Sequence, residues 1–433
     1  MIEMSEKKRY KTQVINDEIL EKLSLENRYK FVRDNLKVIL SDQQYNFLEQ
    51  AQKFCLNYET KNKITHGPDE DIYDWVPDFG KEGYITRQTP YECIDLNYED
   101  FGIAIEFMRI LALDNFDPQF AMSTGATVIC INPIYAHHEN IPVRLKALKE
   151  LVTGQEVGCL LITEPERGSD AVHQLTTCEE QDDGGFLLNG EKIFNTNAPK
   201  SKWAVAYATA EANNGNLMAQ FLINTNWENW ECERVNIPWT PKLFIGKEYL
   251  KNLRVPKEYV LGGIGKGREH LFEGLIPERI AIAVRCISAC WGALAHAVIY
   301  ANMRRQFEKE ILLFQGVGFS LADLWAKTTA LTHGVLKFAE TYDEKNEKYK
   351  GDLPDHISQS MVSSASQYKY NCASLAKEVC FETANLMGGA GVCDNTLMHD
   401  YIGVSRILEV VGGTKQIQQF IMSRSLRRMF KNL

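Results

Sequence analysis

Leu161–Asp170 reads LITEPERGSD, and Asn189–Asn197 reads NGEKIFNTN. The first completes the apolar run GCLLIT and the second follows GFLLN, with WAVAYAT and AQFLINT further on. The signals Asp183-Gly184-Gly185, Asn189-Gly190 and Asn213-Asn214-Gly215 lie between these runs. Asn and Gly tolerate the positive φ that primed hairpin turns require, so the pattern predicts short strands joined by tight turns. Regular turns and short strands suggest a small barrel or sandwich, placed over residues 151–266.

The period changes on both sides of this module. Upstream, Ser41–Tyr58 opens with a Ser-Asp cap signal and carries apolar residues at Tyr45, Phe47, Leu48, Ala51 and Phe54, close to helical spacing. Tyr98–Asp114 reads similarly. A helical domain is expected over 36–150, preceded by a charged, loosely held extension over 1–35. Downstream, a proline suits the first turn of a helix, which places a helix start at Pro277 with Glu278 near its positive end. That helix should reach about Phe307. Others should cover Gly316–Tyr342, a stretch ending at Met387 before Gly388-Gly389, and Lys415–Phe430, with a loop over Asp343–Asp355. The expected fold class is α+β: an N-terminal helical domain, a middle β domain, and a C-terminal four-helix bundle over 267–433.

The 433 residues are too many for one small core. Hydrophobic residues make up 45% and charged residues 24%, ordinary values for a globular chain. The net charge of -9 lacks the basic footprint of a nucleic-acid binder. Eleven cysteines form no CxxC pair and no zinc-finger spacing with histidine, so they read as buried thiols in a reducing compartment, and no metal site is expected. MIEMSEKKRYK lacks the apolar core of a signal peptide, and Ile280–Ile299 is interrupted by Arg285, Ser288 and His296. The expectation is a buried helix, no membrane span and a cytoplasmic protein. Gly263-Ile264-Gly265-Lys266-Gly267 has neither Walker nor full dinucleotide-fold spacing and reads as a flexible junction.

The LITEPERGSD and NGEKIFNTN segments resemble the two β-domain flavin motifs of the acyl-CoA dehydrogenase family. The likeness extends over roughly 40–430 and includes, in order, Glu278-Arg279, Tyr300–Phe307 (YANMRRQF), Phe314-Gln315, Leu321–Asp323, Gly388–Gly391 and Gly412–Thr414. The resemblance implies non-covalent FAD. Thr163 and Thr196 would donate to the flavin edge where negative charge develops on reduction. Phe194, in place of the usual Trp, would pack on the flavin, and Ser169 would lie near the flavin and coenzyme A phosphates. Arg304 would hold the cofactor pyrophosphate, since a guanidinium donates two parallel hydrogen bonds. The resemblance also implies that Arg304, Gln306, Phe307 and Gln315 serve a neighbouring subunit's flavin. Asn385, where the family usually has Gln, would do so together with Gly388 and Gly389. Thr414 is carried over as a cofactor contact and Arg279 as a substrate contact.

The family chemistry removes an α-proton to a carboxylate base while a β-hydride leaves to the flavin. Many members carry that base as a Glu directly before Gly-Thr, where this chain has Gly412. A subset that includes the isovaleryl-CoA type carries it on the first long helix of the C-terminal domain, as Glu-Arg, with a small residue before Gly-Thr. Glu278-Arg279 with Gly412 matches that combination, so Glu278 is the expected base. Glu409, one turn before the vacant slot, has a register that points elsewhere. Two further departures are Gly403-Val404 in place of Arg-Asp and Glu308 in place of Gly.

The expected function is α,β-dehydrogenation of an acyl-CoA thioester, with electrons passed to an electron-transfer flavoprotein and the chain assembled as a homotetramer. The alternatives are an enoyl-CoA reductase or desulfinase of the same family, or a non-redox flavin-binding protein. A DNA-associated relative would need more basic charge than the terminal SRSLRRMFKNL provides.

Overall fold

The computed structural model describes residues 15–210 and 217–430. The Asn213-Asn214-Gly215 turn and the first fourteen residues of the expected extension lie outside them.

Seven helices come first: α1 (Asp17–Lys22), α2 (Leu25–Leu36), α3 (Asp42–Asn62), α4 (Val76–Lys81), α5 (Ile103–Phe116), α6 (Pro118–Ala136) and α7 (Pro142–Val152). Ser41 starts α3 with a full capping box, its side chain accepting from Gln44 N while the Gln44 side chain accepts from Ser41 N. From Ile15 onward the segment expected to be loosely held is folded. Ile15, Ile19, Leu25, Tyr29 and Val32 are buried, and the Tyr29 hydroxyl donates to the Ala112 carbonyl of α5 at 2.8 Å. Apart from the buried Arg28, which donates to the Asn115 carbonyl at 2.8 Å, its charges lie on the outer side of two short helices whose apolar stripe joins the core.

A mixed sheet follows. Its strands are β1 (Gly158–Leu161), β2 (Thr177–Glu180), β3 (Phe186–Thr196), β4 (Trp203–Ala210), β5 (Leu217–Asn224), β6 (Trp230–Val235), β7 (Ile245–Val255) and β8 (Val260–Leu261). They run in the order β6-β7-β3-β2-β4-β5-β8, with β1 pairing parallel to β4. Asp183-Gly184-Gly185 does turn the chain between β2 and β3. Asn189-Gly190 does not: both residues lie inside β3, at a register shift against β7. A Cβ at Gly190 would sit 2.5 Å from Thr176 Oγ1, so the glycine serves close strand approach rather than a hairpin.

The C-terminal bundle is built from α8 (Gly267–Met303), α9 (Gln315–Tyr349), α10 (Asp355–Met387), α11 (Met398–Leu408) and α12 (Lys415–Met429). A small hairpin, β9 (Arg305–Gln306) and β10 (Lys309–Glu310), separates α8 from α9. Three expectations change here. First, α8 begins at Gly267, so Pro277 is interior and removes one i→i−4 bond just before Glu278. Glu278 is therefore no first-turn acid complementing a dipole. Second, α9 continues to Tyr349, which shortens the expected loop, and α11 is an additional helix. Third, the glycine run is packed only at its end: a Cβ at Gly267 would lie 2.7 Å from Ala219 N, whereas one at Gly263 would meet nothing within 4 Å. The most apolar stretch of α8 is 89% buried within the fold, as expected of a core helix.

Candidate active site

A cleft of about 920 Å³ opens where the sheet meets α5, α6 and α8. That volume is near the upper end of the roughly 300–1,000 Å³ typical of small-molecule sites. Of the residues singled out in the sequence, Thr163, Ser169, Phe194, Thr196, Glu278 and Arg279 all line it.

The two motif segments meet there because a buried ion pair ties them. Lys192 Nζ lies 2.9 Å from Glu164 Oε1, and both side chains are buried. Glu164 also accepts from the backbone N–H groups of Leu175 and Thr176 at 2.6 and 2.8 Å. Burial would raise the Glu164 pKa, but Lys192 and these donors outweigh it and hold the carboxyl below its ordinary value. Past Lys192, β3 bulges: its register against β7 shifts between Ile193 and Asn195, and Phe194 adopts a φ of 64°. A bulge re-aims the intervening side chain. The Phe194 ring accordingly stands at the cleft, 58% exposed. Next to it, Asn195 is held by Glu248, donating through Nδ2 to Oε2 at 2.5 Å. These residues form a wall of hydroxyl, amide and aromatic groups suited to one face and edge of a flat heteroaromatic ring.

Across the cleft, α8 carries Glu278. Its side chain is partly buried and faces the turn before α12. Desolvation pushes its pKa above the ordinary carboxylate value, against the opposing pull of Arg279 and then Lys369. Gly412 stands opposite with a φ of 63°, and a Cβ there would come 3.5 Å from Glu278 Oε1 and 2.3 Å from Ile282 Cδ1. The turn is clamped from several sides. Arg279 Nε donates to the Gly412 carbonyl at 3.4 Å, and Gln418 Nε2 donates to the carbonyls of Gly412 and Gly413 at 3.0 and 2.9 Å. Lys369 Nζ donates to the carbonyls of Glu409 and Gly413 at 3.0 and 2.7 Å. Gly412→Ala should therefore destabilise the protein by about 1–3 kcal/mol, from left-handed strain plus the Ile282 clash. It should also slow any reaction that uses Glu278. Urea unfolding and activity of the same preparation test this, and an unchanged midpoint would refute the crowding argument.

The other candidates lie elsewhere. Thr414 caps α12, its hydroxyl accepting from Ile417 N at 3.4 Å. Arg304, Gln306, Phe307, Gln315, Asn385, Gly388 and Gly389 are all exposed and are not among the residues lining this cleft. Phe307 is 88% exposed at the tip of the β9–β10 hairpin, with a φ of 48°. The next residue, Glu308, has a φ of 67°, the conformation a glycine would take without strain. Glu409 ion-pairs with Arg406 and lies 3.8 Å from Lys377. At Gly403 a Cβ would meet the Trp239 carbonyl at 1.8 Å, so no arginine fits there.

Sequence reasoning missed the basic mouth. Arg268 at the start of α8, and Arg424 and Arg428 on α12, all line the cleft. The spacing of the α12 pair, one helical turn, was the available signal in a terminal segment that reads as an ordinary helix end.

Family models for the acyl-CoA dehydrogenase middle and C-terminal domains match residues 159–239 and 265–427. The chain is 26% identical over 401 residues to mitochondrial isovaleryl-CoA dehydrogenase of Oryza sativa, covering 90% of this chain and 92% of that one. It is 29% identical over 286 residues to the CarC subunit of the caffeyl-CoA reductase–Etf complex of Acetobacterium woodii, covering 65% of this chain and 71% of that one. The solved structure of butyryl-CoA dehydrogenase from Megasphaera elsdenii superposes with a TM-score of 0.79 at 25% identity, covering 90% of this chain and 99% of that one. The helical–β–helical order, the paired motif segments and these matches place the chain in the acyl-CoA dehydrogenase family.

Proposed function

We propose that this chain binds FAD non-covalently in the cleft and catalyses α,β-dehydrogenation of an acyl-CoA thioester to the trans-2-enoyl-CoA. One observation carries the reading: Glu278, desolvated and facing Gly412, shares a single cleft with Thr163, Phe194 and Thr196. FAD, when bound, supplies the hydride acceptor. Phe194 and the Thr163 and Thr196 hydroxyls hold and polarise the ring edge from the sheet side, donating where negative charge accumulates. Glu278 takes the α-proton from the α8 side, and its raised proton affinity suits it to a weak carbon acid. The acyl group lies between these walls, against Ile110, Met122, Ala126 and Ile282. Arg268, Arg424 and Arg428 stand at the mouth, where a phosphate-rich coenzyme A tail would pass. The exposed Arg304–Gln315 segment and the Asn385–Gly389 turn are assigned to a neighbouring subunit's cofactor, which implies an oligomer, a homotetramer by family pattern. Electrons leave to an electron-transfer flavoprotein. The same groups run in reverse would serve an enoyl-CoA reductase, and the Acetobacterium relative is named as a subunit of a caffeyl-CoA reductase–Etf complex.

The test is the anaerobic visible spectrum of the FAD-loaded protein, before and after straight, branched and cyclic acyl-CoA thioesters. Bleaching by one class supports dehydrogenation. A yellow protein that only an enoyl-CoA re-oxidises after chemical reduction supports the reductase direction. A protein that does not take up FAD overturns the assignment.

A further inference from the structure

The helix α8 runs the length of the cleft. Arg268 stands near its start, Glu278 ten residues on, and Arg285 seven residues further. At 1.5 Å per residue, Arg285 lies about 10 Å beyond the base along the helix axis. All three line the same cleft, so Arg285 occupies the end away from the basic mouth.

The walls on the way are apolar, formed by Ile110, Met122, Ala126, Ile129, Ala281 and Ile282. The pouch does not end in a hydrocarbon floor. Arg285 is only 5% exposed. Its guanidinium lies against α6 at Gly125, where a Cβ would come 2.5 Å from Nη2 and 2.9 Å from Cζ. The glycine makes room for the arginine head. Among the described residues the partner of this guanidinium is Asp114, with Nη1 donating to Oδ1 at 3.1 Å. Nε and Nη2 have no protein acceptor there. The acid that shares this wall, Glu106, is already engaged by Arg109, which donates from Nε and Nη2 at 2.8 and 2.5 Å. A methyl-ended acyl chain seated here would leave buried donors dry, and a site built to hydrogen-bond an oxygen rejects the analogue that lacks it.

We propose that Arg285 determines specificity at the distal end of the acyl group, and that the preferred thioester carries an oxygen acceptor there, as a carboxylate or a hydroxyl. With C–C bonds of about 1.5 Å the helical spacing spans about seven bonds, and the lean of the long arginine side chain back toward the helix N-terminus shortens this to an oxygen on roughly the sixth carbon, counting the thioester carbonyl as the first. The inference rests on the acyl-CoA dehydrogenase reading. It differs from that reading in naming what the far end of the substrate must offer.

The test compares hexanoyl-CoA, 6-hydroxyhexanoyl-CoA and adipoyl-CoA on the FAD-loaded full-length protein. Anaerobic flavin bleaching gives kcat/KM, and calorimetry gives Kd for each thioester. One or both oxygen-bearing thioesters should exceed hexanoyl-CoA about 10- to 100-fold in both readouts. A preference for adipoyl-CoA identifies an anionic end and a preference for the hydroxy compound a neutral one. Arg285→Met combined with Asp114→Asn, which leaves no orphaned charge, should bring the ratio to about one. Gly125→Ala should lower it by displacing the head while keeping the arginine. If hexanoyl-CoA bleaches the flavin as well as the other two, or the ratio survives the double variant, the proposal falls while the dehydrogenase reading stands. If no thioester binds or bleaches, both fall.

Discussion

Glu278→Gln should slow acyl-CoA-driven flavin bleaching by about 10²- to 10⁴-fold, the usual contribution of a positioned general base, without altering FAD content. Glutamine keeps the shape and removes the proton acceptor. Glu409 offers no substitute, because it is ion-paired with Arg406. The wild-type rate should rise with pH as Glu278 ionises, with a midpoint above the ordinary carboxylate value of 4.5, and the variant should lack that limb. The stability sign is opposite. A carboxyl whose folded pKa is raised favours the protonated form in the native state, so its contribution falls as pH rises from the unfolded through the folded pKa. Glu278→Gln should therefore be at least as stable as wild type at neutral pH. Stopped-flow bleaching and thermal melts across pH check both halves, and a variant that retains the wild-type rate would place the base elsewhere.

Lys242→Met should cost about 3–5 kcal/mol, the largest stability loss expected of a single change here. Lys242 is buried, with Nζ 2.5 Å from Asp117 Oδ2 and 3.9 Å from Asp400 Oδ2. Its backbone N–H donates to Gln119 Oε1 at 2.9 Å, and Gln119 donates in turn to Asp400. His66 adds a contact to Asp117 at 3.2 Å. One ammonium thus ties the start of α6, the segment before β7, and α11, which belong to the three parts of the chain that enclose the cleft. Burial alone would raise the Asp117 pKa, but Lys242 and His66 outweigh it and hold the carboxyl well below the ordinary range. Its stabilisation is present above the unfolded carboxylate pKa and is lost as pH falls through the folded value. Removing the lysine leaves two buried carboxylates without its countercharge, whereas Lys242→Met with Asp117→Asn leaves one fewer and should recover part of the loss. Urea unfolding of the single and double variants measures this, and equal midpoints for wild type and Lys242→Met would show the network is not a lock.

Much of the architecture was legible because local rules acted in agreement. The Ser-Asp cap signal at Ser41 and the glycine stop after Met387 place helix ends that the structure reproduces. Reading failed where a local rule was overridden by packing. Pro277 looks like a helix start, yet ten residues precede it in α8. Asn189-Gly190 looks like a hairpin, yet β3 continues through it because the neighbouring strand needs the space. The charged segment before α3 looks detached, yet its apolar stripe is buried.

The linear chain by itself determined the order of helices, sheet and bundle and the paired motif segments, since periodicity, turn chemistry and motif spacing are properties of consecutive residues; matching Glu278 with a vacant Gly412 was what the family resemblance implied. Only tertiary structure decided that Arg268, Glu278 and Arg285 mark out one cleft with Arg424 and Gly125, that Lys242 closes three parts on one charge, and that the bulge at Phe194 turns its ring into the site. Those facts depend on which side chains meet across long separations and how far each is withdrawn from water. Neither is written in the spacing of residues along the chain.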